Sequence, residues 1–250
     1  MRFDVTGLLD LPEIDEGSDL PEMVADAVEA LAPDADAVCV ASTVVAKHEG
    51  RVRELTSYDP GPEAQELARV DDELTPRFAE AVLRETDELL LAEPFLLSVT
   101  HIGHVAPNAG IDRSNVAGDD RIVLLPEDPH ASAARLADAV GLPVIVTDTC
   151  GRPFRCGQTG VAVGWHGLSP IRDWRGDADR HGHELEATEE AVADELAGAA
   201  NVAMGEAGGG VPAVAIGGVQ DVLTDCGGET LFRPDEDDVV RAALRAWSGD

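Results

Sequence analysis

The sequence predicts a globular fold that mixes strands and helices, and three observations lead to this prediction. Hydrophobic residues make up 44% of the 250 positions, which is typical of a chain that buries a core. Aromatic residues are only 4%, so the core must consist mainly of Ala, Val, Leu and Ile. Short apolar runs of strand type occur beside longer segments with helical spacing, and polar stretches rich in glycine lie between them. One of these stretches, Asp148–Gly160, is predicted to be a loop.

The apolar pattern gives the elements in chain order. Strands are predicted at Ala37–Thr43, Arg121–Leu125, Pro143–Thr147 and Val211–Ile216, with one or two more within Phe95–Val105. Helices are predicted at Pro21–Ala32, Pro129–Val140, Thr188–Met204 and Asp235–Trp247.

Short polar side chains accept hydrogen bonds from the free N–H groups of a first helical turn, so we expect Ser18 or Asp19 to cap the first helix and Thr188 the third. The stretch Arg51–Pro94 is less distinctive and is interpreted as a helical insertion. The chain shows no internal repeat and no clear boundary, and residues 1–250 are therefore predicted to form one domain.

The charge balance excludes several classes of partner. Forty-nine acidic residues against 18 basic ones give a formal net charge of −31, which repels nucleic acid and anionic lipid. Lys47 is the only lysine, and abundant acid with almost no Lys resembles cytoplasmic proteins of extreme halophiles; compositional drift in a GC-rich genome is the alternative. The chain shows no secretory signal and no apolar run that could span a membrane, so we expect a cytoplasmic protein.

The stretch NAGIDRSN offers acceptor oxygens and tight turns. Asp112 and Asn115 could reach a metal and a ligand from this one loop. An Asx-rich turn that binds nothing is the alternative interpretation.

A second group of candidates follows the apolar run Pro143–Thr147. Asp148 comes directly after this run, as a carboxylate that could hold a hard divalent cation, and Thr149 adds a hydroxyl. Arg152 and Arg155 supply guanidinium groups that suit phosphate or carboxylate. A structural network of Asp and Arg is the alternative.

The stretch Met204–Pro212 and Lys47 complete the candidates. The glycines after Met204 allow a nucleotide to approach the backbone closely, with Glu206 as a metal carboxylate, or they simply end a helix. The GxxxxGK[ST] phosphate loop is absent. A single Lys in an Arg-rich chain suits a specific task beside a triphosphate, and an unremarkable surface Lys is the alternative.

The histidines and the acidic loop at Asp177 predict no metal site. His101, His104, His181 and His183 lie far from cysteines and are interpreted as structural or surface residues. The pattern that begins at Asp177 lacks the Glu that an EF-hand loop needs at its twelfth position.

Several segments together resemble the coenzyme F420-0:L-glutamate ligases (coenzyme F420 γ-glutamyl ligases). They run in family order across nearly the whole chain, and the NAGIDRSN and TDTxGRPxR pieces are highly specific. The matching pieces are Leu11–Ile14, Lys47–Arg51, Asn108–Val116, Leu124–Pro129, Thr147–Arg155, Gly157–Thr159, Ala193–Ala197 and Met204–Ala207.

The resemblance implies an α+β fold with mixed sheets and flanking helices in an intertwined homodimer, of the stand-alone archaeal type. It implies that GTP phosphorylates a carboxylate of the deazaflavin precursor F420-0 and that the amine of L-glutamate attacks the acyl phosphate, forming an amide, GDP and phosphate. A metal phosphohydrolase and a nucleotide-binding regulatory protein without turnover are the alternatives.

The resemblance also assigns roles to matching positions. Divalent cations, Mg²⁺ or Mn²⁺, are expected at Asp112 with Asp148 and at Thr149 with Glu206, and K⁺ is a further possible cofactor. GTP is expected at Leu11, Pro12, Glu13, Ile14, Ser42, Thr43, Lys47, Asn115, Met204, Gly205, Glu206, Ala207, Gly208, Gly209, Gly210 and Val211. Arg152 and Arg155 are our own catalytic candidates for holding phosphate or carboxylate.

The chain departs from the family pattern in three places. Gly160 stands where an acidic residue is expected, Cys150 and Phe154 replace the usual aromatic residues, and Ala41–Val45 departs from the usual residues before the Lys.

Overall fold

A computed structural model describes residues 2–9, 11–69, 74–118, 120–208, 210–224 and 230–248. Its helices are α1 (Leu20–Leu31), α2 (Ser42–His48), α3 (Pro62–Leu67), α4 (Pro76–Arg84), α5 (Pro129–Val140), α6 (Val192–Met204) and α7 (Val239–Ser248). Its strands are β1 (Asp4–Gly7), β2 (Ala37–Ala41), β3 (Val52–Glu54), β4 (Thr86–Leu91), β5 (Leu97–Thr100), β6 (Val105–Pro107), β7 (Arg121–Val123), β8 (Val144–Arg152), β9 (Arg155–His166), β10 (Arg172–Asp173), β11 (Glu189–Glu190) and β12 (Ala213–Gly217).

The expected α+β class is confirmed, because helices flank several separate sheets. The chain divides into two compact units. Unit 1 consists of Met1–His48 and Asp128–Leu231, and unit 2 consists of Glu49–Glu127 and Phe232–Asp250. In the part of the chain that the structure describes, no helix combines the length and apolarity that crossing a membrane requires.

The main sheet of unit 1 has five strands in the order β1-β12-β2-β8-β9. β2 and β8 are parallel, with Val40 opposite Val146 and Ala41 opposite Thr147, whereas the pairs β1–β12, β12–β2 and β8–β9 are antiparallel. The parallel pairing ends at Ala41 and Thr147, so the next residues, Ser42 and Asp148, lie side by side, while β8 itself continues to Arg152.

Helices cover both faces of this sheet. Alternate strand residues, among them Cys39, Ile145 and Ile216, pack against the Ala- and Leu-rich side of α6. α5 packs on β8 and β9, and α1 packs on α5. Gly164 of β9 lies against the start of α5, where a Cβ would come 2.4 Å from the carbonyl carbon of Pro129. Only glycine therefore permits this approach of helix to sheet.

The prediction of a loop at Asp148–Gly160 is wrong, because nearly all of this segment belongs to two paired strands. β8 runs on to Arg152 and pairs with β9 from Arg155 onward. Residues 151–158, at the end of this hairpin, are exposed on both strands. The sequence interpretation relied on an apolar run, and an exposed hairpin end has none.

Two predicted boundaries also differ from the structure. Ser42 and Thr43 begin α2 instead of ending the strand before it. Thr188 does not cap the long helix, because Glu189 and Glu190 pair with β10 and the helix begins at Val192. The first helix forms as expected, with Asp19 accepting a hydrogen bond from the N–H of Glu22.

Unit 2 combines the antiparallel sheet β4-β5-β6, the pair β3–β7 and the helices α3, α4 and α7. The expected helical insertion is thus half right, because Arg51–Pro94 holds α3 and α4 but also β3 and β4. Its core includes Phe78, Val82 and Ile122, which pack beneath the stretch that carries Asp112.

Three consecutive left-handed residues form the turn before Asp112. Asn108, Ala109 and Gly110 have φ values of 52°, 54° and 69°, a conformation that costs non-glycine residues about 1–2 kcal/mol each. Ala109 is only 1% exposed and its methyl group packs in the core, which helps to hold the turn. A bridge between the backbones of Asp112 and Val123 then fixes the next residues, with N–O distances of 2.9 and 2.8 Å.

We predict that Gly110→Ala destabilises the protein more than Gly141→Ala does. Both glycines have positive φ, but a Cβ at Gly110 would lie 2.9 Å from Cγ of the buried Leu125, whereas nothing lies within 4 Å at Gly141. The left-handed conformation alone costs about 1 kcal/mol, and overpacking adds about 1–3 kcal/mol. Denaturant unfolding at high KCl measures both values, and equal losses of stability would contradict the packing argument.

His104 of unit 2 is a buried side chain in an apolar setting. Its ring lies 6.0 Å from the ring of Phe232, and Nε2 has no hydrogen-bond partner among the described residues. Burial lowers the pKa of His104 from 6.5 to about 4. The expectation of a structural histidine fits this setting.

We predict that His104 makes the protein less stable in acid. Because the folded pKa lies below the unfolded one, the unfolded chain binds the proton more tightly, and stability is lost as pH falls from about 6.5 towards 4. The shift corresponds to a loss of about 3 kcal/mol. The variant His104→Phe lacks this group, so its free energy of unfolding should fall less over that interval, and parallel curves for the two proteins would refute the assignment.

Candidate functional site

Asp148 and Ser42 meet where the parallel pairing of β2 with β8 ends. The Ser42 hydroxyl donates a hydrogen bond of 3.1 Å to Oδ1 of Asp148, although 106 positions separate the two residues in the sequence. Ser42 is 3% exposed and Asp148 is half-buried. The carboxylate also acts on its surroundings, because burial and then the charge of Asp148 raise the pKa of the Cys150 thiol. A negatively charged, half-buried carboxylate therefore lies at this point of the sheet.

Thr149 belongs to the opposite face of the hairpin. It pairs directly with Gly160, and directly paired residues of antiparallel strands share a face. A Cβ on Gly160 would point at α6, 3.0 Å from Cβ of Asn201. Asn201 in turn donates a hydrogen bond of 2.8 Å from Nδ2 to Oε1 of Glu206. Thr149 and Glu206 are thus related by a chain of contacts, in which Gly160 pairs with Thr149 and lies against Asn201, and Asn201 bonds Glu206.

The absence of a side chain at Gly160 has a steric cause. A Cβ there would lie 2.3 Å from the carbonyl oxygen of Ala197, which is helix backbone and cannot move aside locally. An acidic residue at this position would require α6 to shift away from β9. Glycine thus allows α6 to lie directly on the strand.

Lys47 forms an ion pair with Glu13. Its Nζ lies 2.7 Å from Oε1 of Glu13, and the Lys47 side chain is 12% exposed whereas the Glu13 side chain is 84% exposed. The Lys47 side chain is therefore largely buried, and its role beside a triphosphate stays a prediction. Two nucleotide candidates that the resemblance named separately, the Leu11–Ile14 segment and Lys47, are therefore in contact.

The segment after α6 begins with a helix end. Gly205 has φ 70° and its N–H bonds to the carbonyl of Asn201, so this glycine terminates the helix as the structural alternative proposed. Val211 returns to the core beside α6. The candidate Gly209 lies outside the described residues.

Asp112 and Asn115 lie in unit 2, whereas the other described candidates lie in unit 1. Both carboxylate oxygens of Asp112 accept hydrogen bonds from Ser114, at 2.7 Å from its N–H and 3.0 Å from its hydroxyl. Asn115 has φ 51° and donates to the Ser114 hydroxyl. The loop contains an Asx turn in which Asp112 is half-buried, and ligand binding by this loop stays a prediction.

Arg152 and Arg155 flank the turn of the β8–β9 hairpin. They pair across the strands, and both are exposed. Phe154 between them is fully exposed with φ 65°. Like charges opposite each other destabilise a strand pair, so this end of the hairpin suits an anion or a second surface.

Comparisons with known proteins give the family. The sequence profile described as F420-0:Gamma-glutamyl ligase matches residues 8–218, which spans parts of both units. The chain belongs to this ligase family. Proteins named coenzyme F420:L-glutamate ligase are 54% identical in Natronomonas pharaonis, over 96% of this chain and 95% of the relative, and 51% identical in Haloarcula marismortui, over 95% of each. The protein of that name in Archaeoglobus fulgidus is 42% identical over 98% of this chain and 99% of its own length. The resemblance inferred from the motifs is thereby confirmed.

One family segment that received no role is structural here. Asp194 at the start of α6 accepts a hydrogen bond of 2.8 Å from the N–H of Ala162, beside the point where the β8–β9 register shifts. Burial raises the pKa of Asp194, and this hydrogen bond offsets part of that effect. Ala193 and Ala197 are fully buried against the sheet. The segment Ala193–Ala197 thus fixes the helix on β9.

Asn201 is the residue that sequence reasoning missed. It is the one amide in the Ala- and Val-rich second half of α6, and a polar side chain in such a context was the available signal. Its partner Glu206 was already among the predicted candidates.

The donor set fits a hard divalent cation in its chemistry. Asp148, Thr149 and Glu206 offer carboxylate and hydroxyl oxygens, which Mg²⁺ and Mn²⁺ prefer. Among the described residues no three His, Cys, Asp or Glu side chains group as a metal site of their own. A cation here would therefore share its coordination with a ligand or water, as Mg²⁺ commonly does at phosphate sites.

Proposed function

We propose that the chain is a GTP-dependent ligase that joins L-glutamate to coenzyme F420-0 and adds a further γ-linked glutamate. The observation that carries this proposal is the Ser42–Asp148 pair just beyond the parallel pairing of β2 with β8, in a member of this ligase family. Ligands commonly bind beyond the carboxyl end of a parallel strand such as β2. The names of the relatives indicate glutamate and coenzyme F420 as the substrate class.

The reaction has two steps. A carboxylate oxygen of F420-0 attacks the γ-phosphorus of GTP, which forms an acyl phosphate and releases GDP. The amine nitrogen of L-glutamate then attacks the acyl carbon, the phosphate leaves with the electron pair of the broken C–O bond, and the nitrogen gives up its proton to form a neutral amide. The protein must shield phosphate charge and exclude water from the anhydride.

The residues of unit 1 divide these tasks. Lys47 is a compact cation held near the Leu11–Ile14 segment, and it suits the phosphates of the nucleotide. Asp148 on one face of β8, and Thr149 with Glu206 on the other, would each hold a Mg²⁺ or Mn²⁺ ion, which would supply positive charge against the phosphate oxygens. Arg152 and Arg155 are proposed to hold phosphate or carboxylate, at the exposed end of the hairpin. A ligand role for Asp112 stays a prediction from the resemblance.

We also propose a homodimer in which this end of the hairpin meets a second copy. The fully exposed Phe154 supports it, because a large apolar side chain is costly to leave in water.

Glu13 affects how the nucleotide binds. Its carboxylate forms an ion pair with the ammonium group of Lys47. A phosphate that binds Lys47 must therefore displace Glu13 or share the ammonium with it. Nucleotide binding becomes an exchange of one anion for another, and Glu13 lowers the apparent affinity.

The first prediction of the proposal concerns Asp148→Asn. Purified protein with GTP, Mn²⁺, L-glutamate and F420-0 should form glutamylated product, detected by mass spectrometry, together with GDP and phosphate. The amide introduced by the substitution would keep an acceptor for Ser42 but lose the charge, so the rate should fall at least about 100-fold while the melting temperature stays unchanged.

The control is Asp138→Asn, which removes one exposed negative charge from α5 in the same unit and should keep full activity. GTP hydrolysis that needs neither glutamate nor F420-0 would favour a phosphohydrolase instead. GTP binding without product would favour a regulatory protein. Unchanged turnover in Asp148→Asn would remove this carboxylate from the site.

The second prediction concerns Glu13→Gln. The variant frees Lys47, so calorimetry should show GTP binding about 3- to 5-fold more tightly than to the wild type, the range expected for a partly exposed ion pair. Glu16→Gln removes the same charge three residues away and is the control. Weaker binding by Glu13→Gln alone would mean that Glu13 contacts the nucleotide favourably and does not compete with it.

A further inference from the structure

We infer that Asn201 is a positioning residue, which holds the Glu206 carboxylate ready for a divalent cation beside Thr149. This inference rests on the proposed function, because it concerns the same cation site. It assigns a task to a side chain for which the family motifs gave none.

The first support is the hydrogen bond itself. Nδ2 of Asn201 lies 2.8 Å from Oε1 of Glu206. Glu206 is exposed and lies beyond the end of α6. An exposed Glu samples several rotamers, and restricting them costs free energy when a ligand binds. A hydrogen bond made before binding reduces that cost.

The second support is the position of Asn201 on the sheet. Gly160 brings α6 so close to β9 that Cβ of Asn201 lies 3.0 Å from the site of a Gly160 Cβ. Thr149 pairs with Gly160 across the hairpin. Asn201 therefore lies against Gly160, the strand partner of Thr149, and also bonds the carboxylate of Glu206. The helix backbone fixes its position.

The third support is chemical. An amide donates a hydrogen bond to the carboxylate without neutralising it, and it occupies only part of the lone pairs of one oxygen. An Arg or Lys in this place would pair with Glu206 and compete with a cation. The neutral donor thus orients the ligand and leaves its charge available to the metal.

The test measures Mn²⁺ binding by electron paramagnetic resonance of the free ion, with KCl in excess to suppress weak binding to surface acids. Asn201→Ala should weaken Mn²⁺ binding about 10-fold, within the range known for residues that orient metal ligands. Asn201→Gln keeps an amide donor and should restore most of the affinity. Val202→Ala changes an 87% exposed residue of the same helical turn and should leave binding unchanged.

Kinetics give a second readout. In Asn201→Ala the Mn²⁺ concentration at half-maximal velocity should rise about 10-fold, with kcat at saturating Mn²⁺ changed less than about twofold, because the metal still binds once it is supplied. A loss of kcat with unchanged Mn²⁺ dependence would overturn the inference, because it would indicate a merely structural role.

Glu206→Gln separates this inference from the proposed function. If that variant binds Mn²⁺ like the wild type, Glu206 holds no cation and the proposed site itself fails. If Glu206→Gln weakens binding and Asn201→Ala leaves it close to that of the wild type, the cation site stands and only the role of Asn201 is refuted.

Discussion

The parallel pairing of β2 with β8 is the constraint on which the proposed site depends. Every other strand pair in the main sheet is antiparallel among the residues described. This parallel pairing ends at Ala41 and Thr147, and it brings Ser42 next to Asp148. β2 ends at Ala41, and α2 begins at Ser42 and carries Lys47. Hydroxyl, carboxylate and ammonium groups thus originate from one backbone arrangement.

The hairpin that follows separates the two proposed sets of oxygen ligands. Successive residues of a strand point to opposite faces, so Asp148 faces Ser42 while Thr149 faces the α6 side. Adjacent positions in the sequence can thereby serve two different cations without crowding. Gly160 contributes by letting α6 approach β9, which sets Asn201 next to this face.

Electrostatics supports the proposed role of Lys47 in so acidic a chain. With a net charge of −31, an anionic nucleotide would approach against the average field, so local cations would have to supply the attraction. Lys47 is held by one carboxylate and mostly enclosed. High salt screens the long-range repulsion but weakens this short contact much less, because the contact is partly buried.

The sequence by itself determined the α+β class, most of the buried strands, a polar cap at Ser18 or Asp19 and the family, because apolar runs, capping residues and ordered motifs are local features of the chain. It misjudged Asp148–Gly160, where an exposed hairpin has no apolar run, and it gave Asn201 no role. The Ser42–Asp148 bond, the Glu13–Lys47 pair and the approach of α6 at Gly160 were decided only by the tertiary structure. Each joins residues whose separation in the chain carries no local signal, and only the pairing of strands and the packing of helices bring them together.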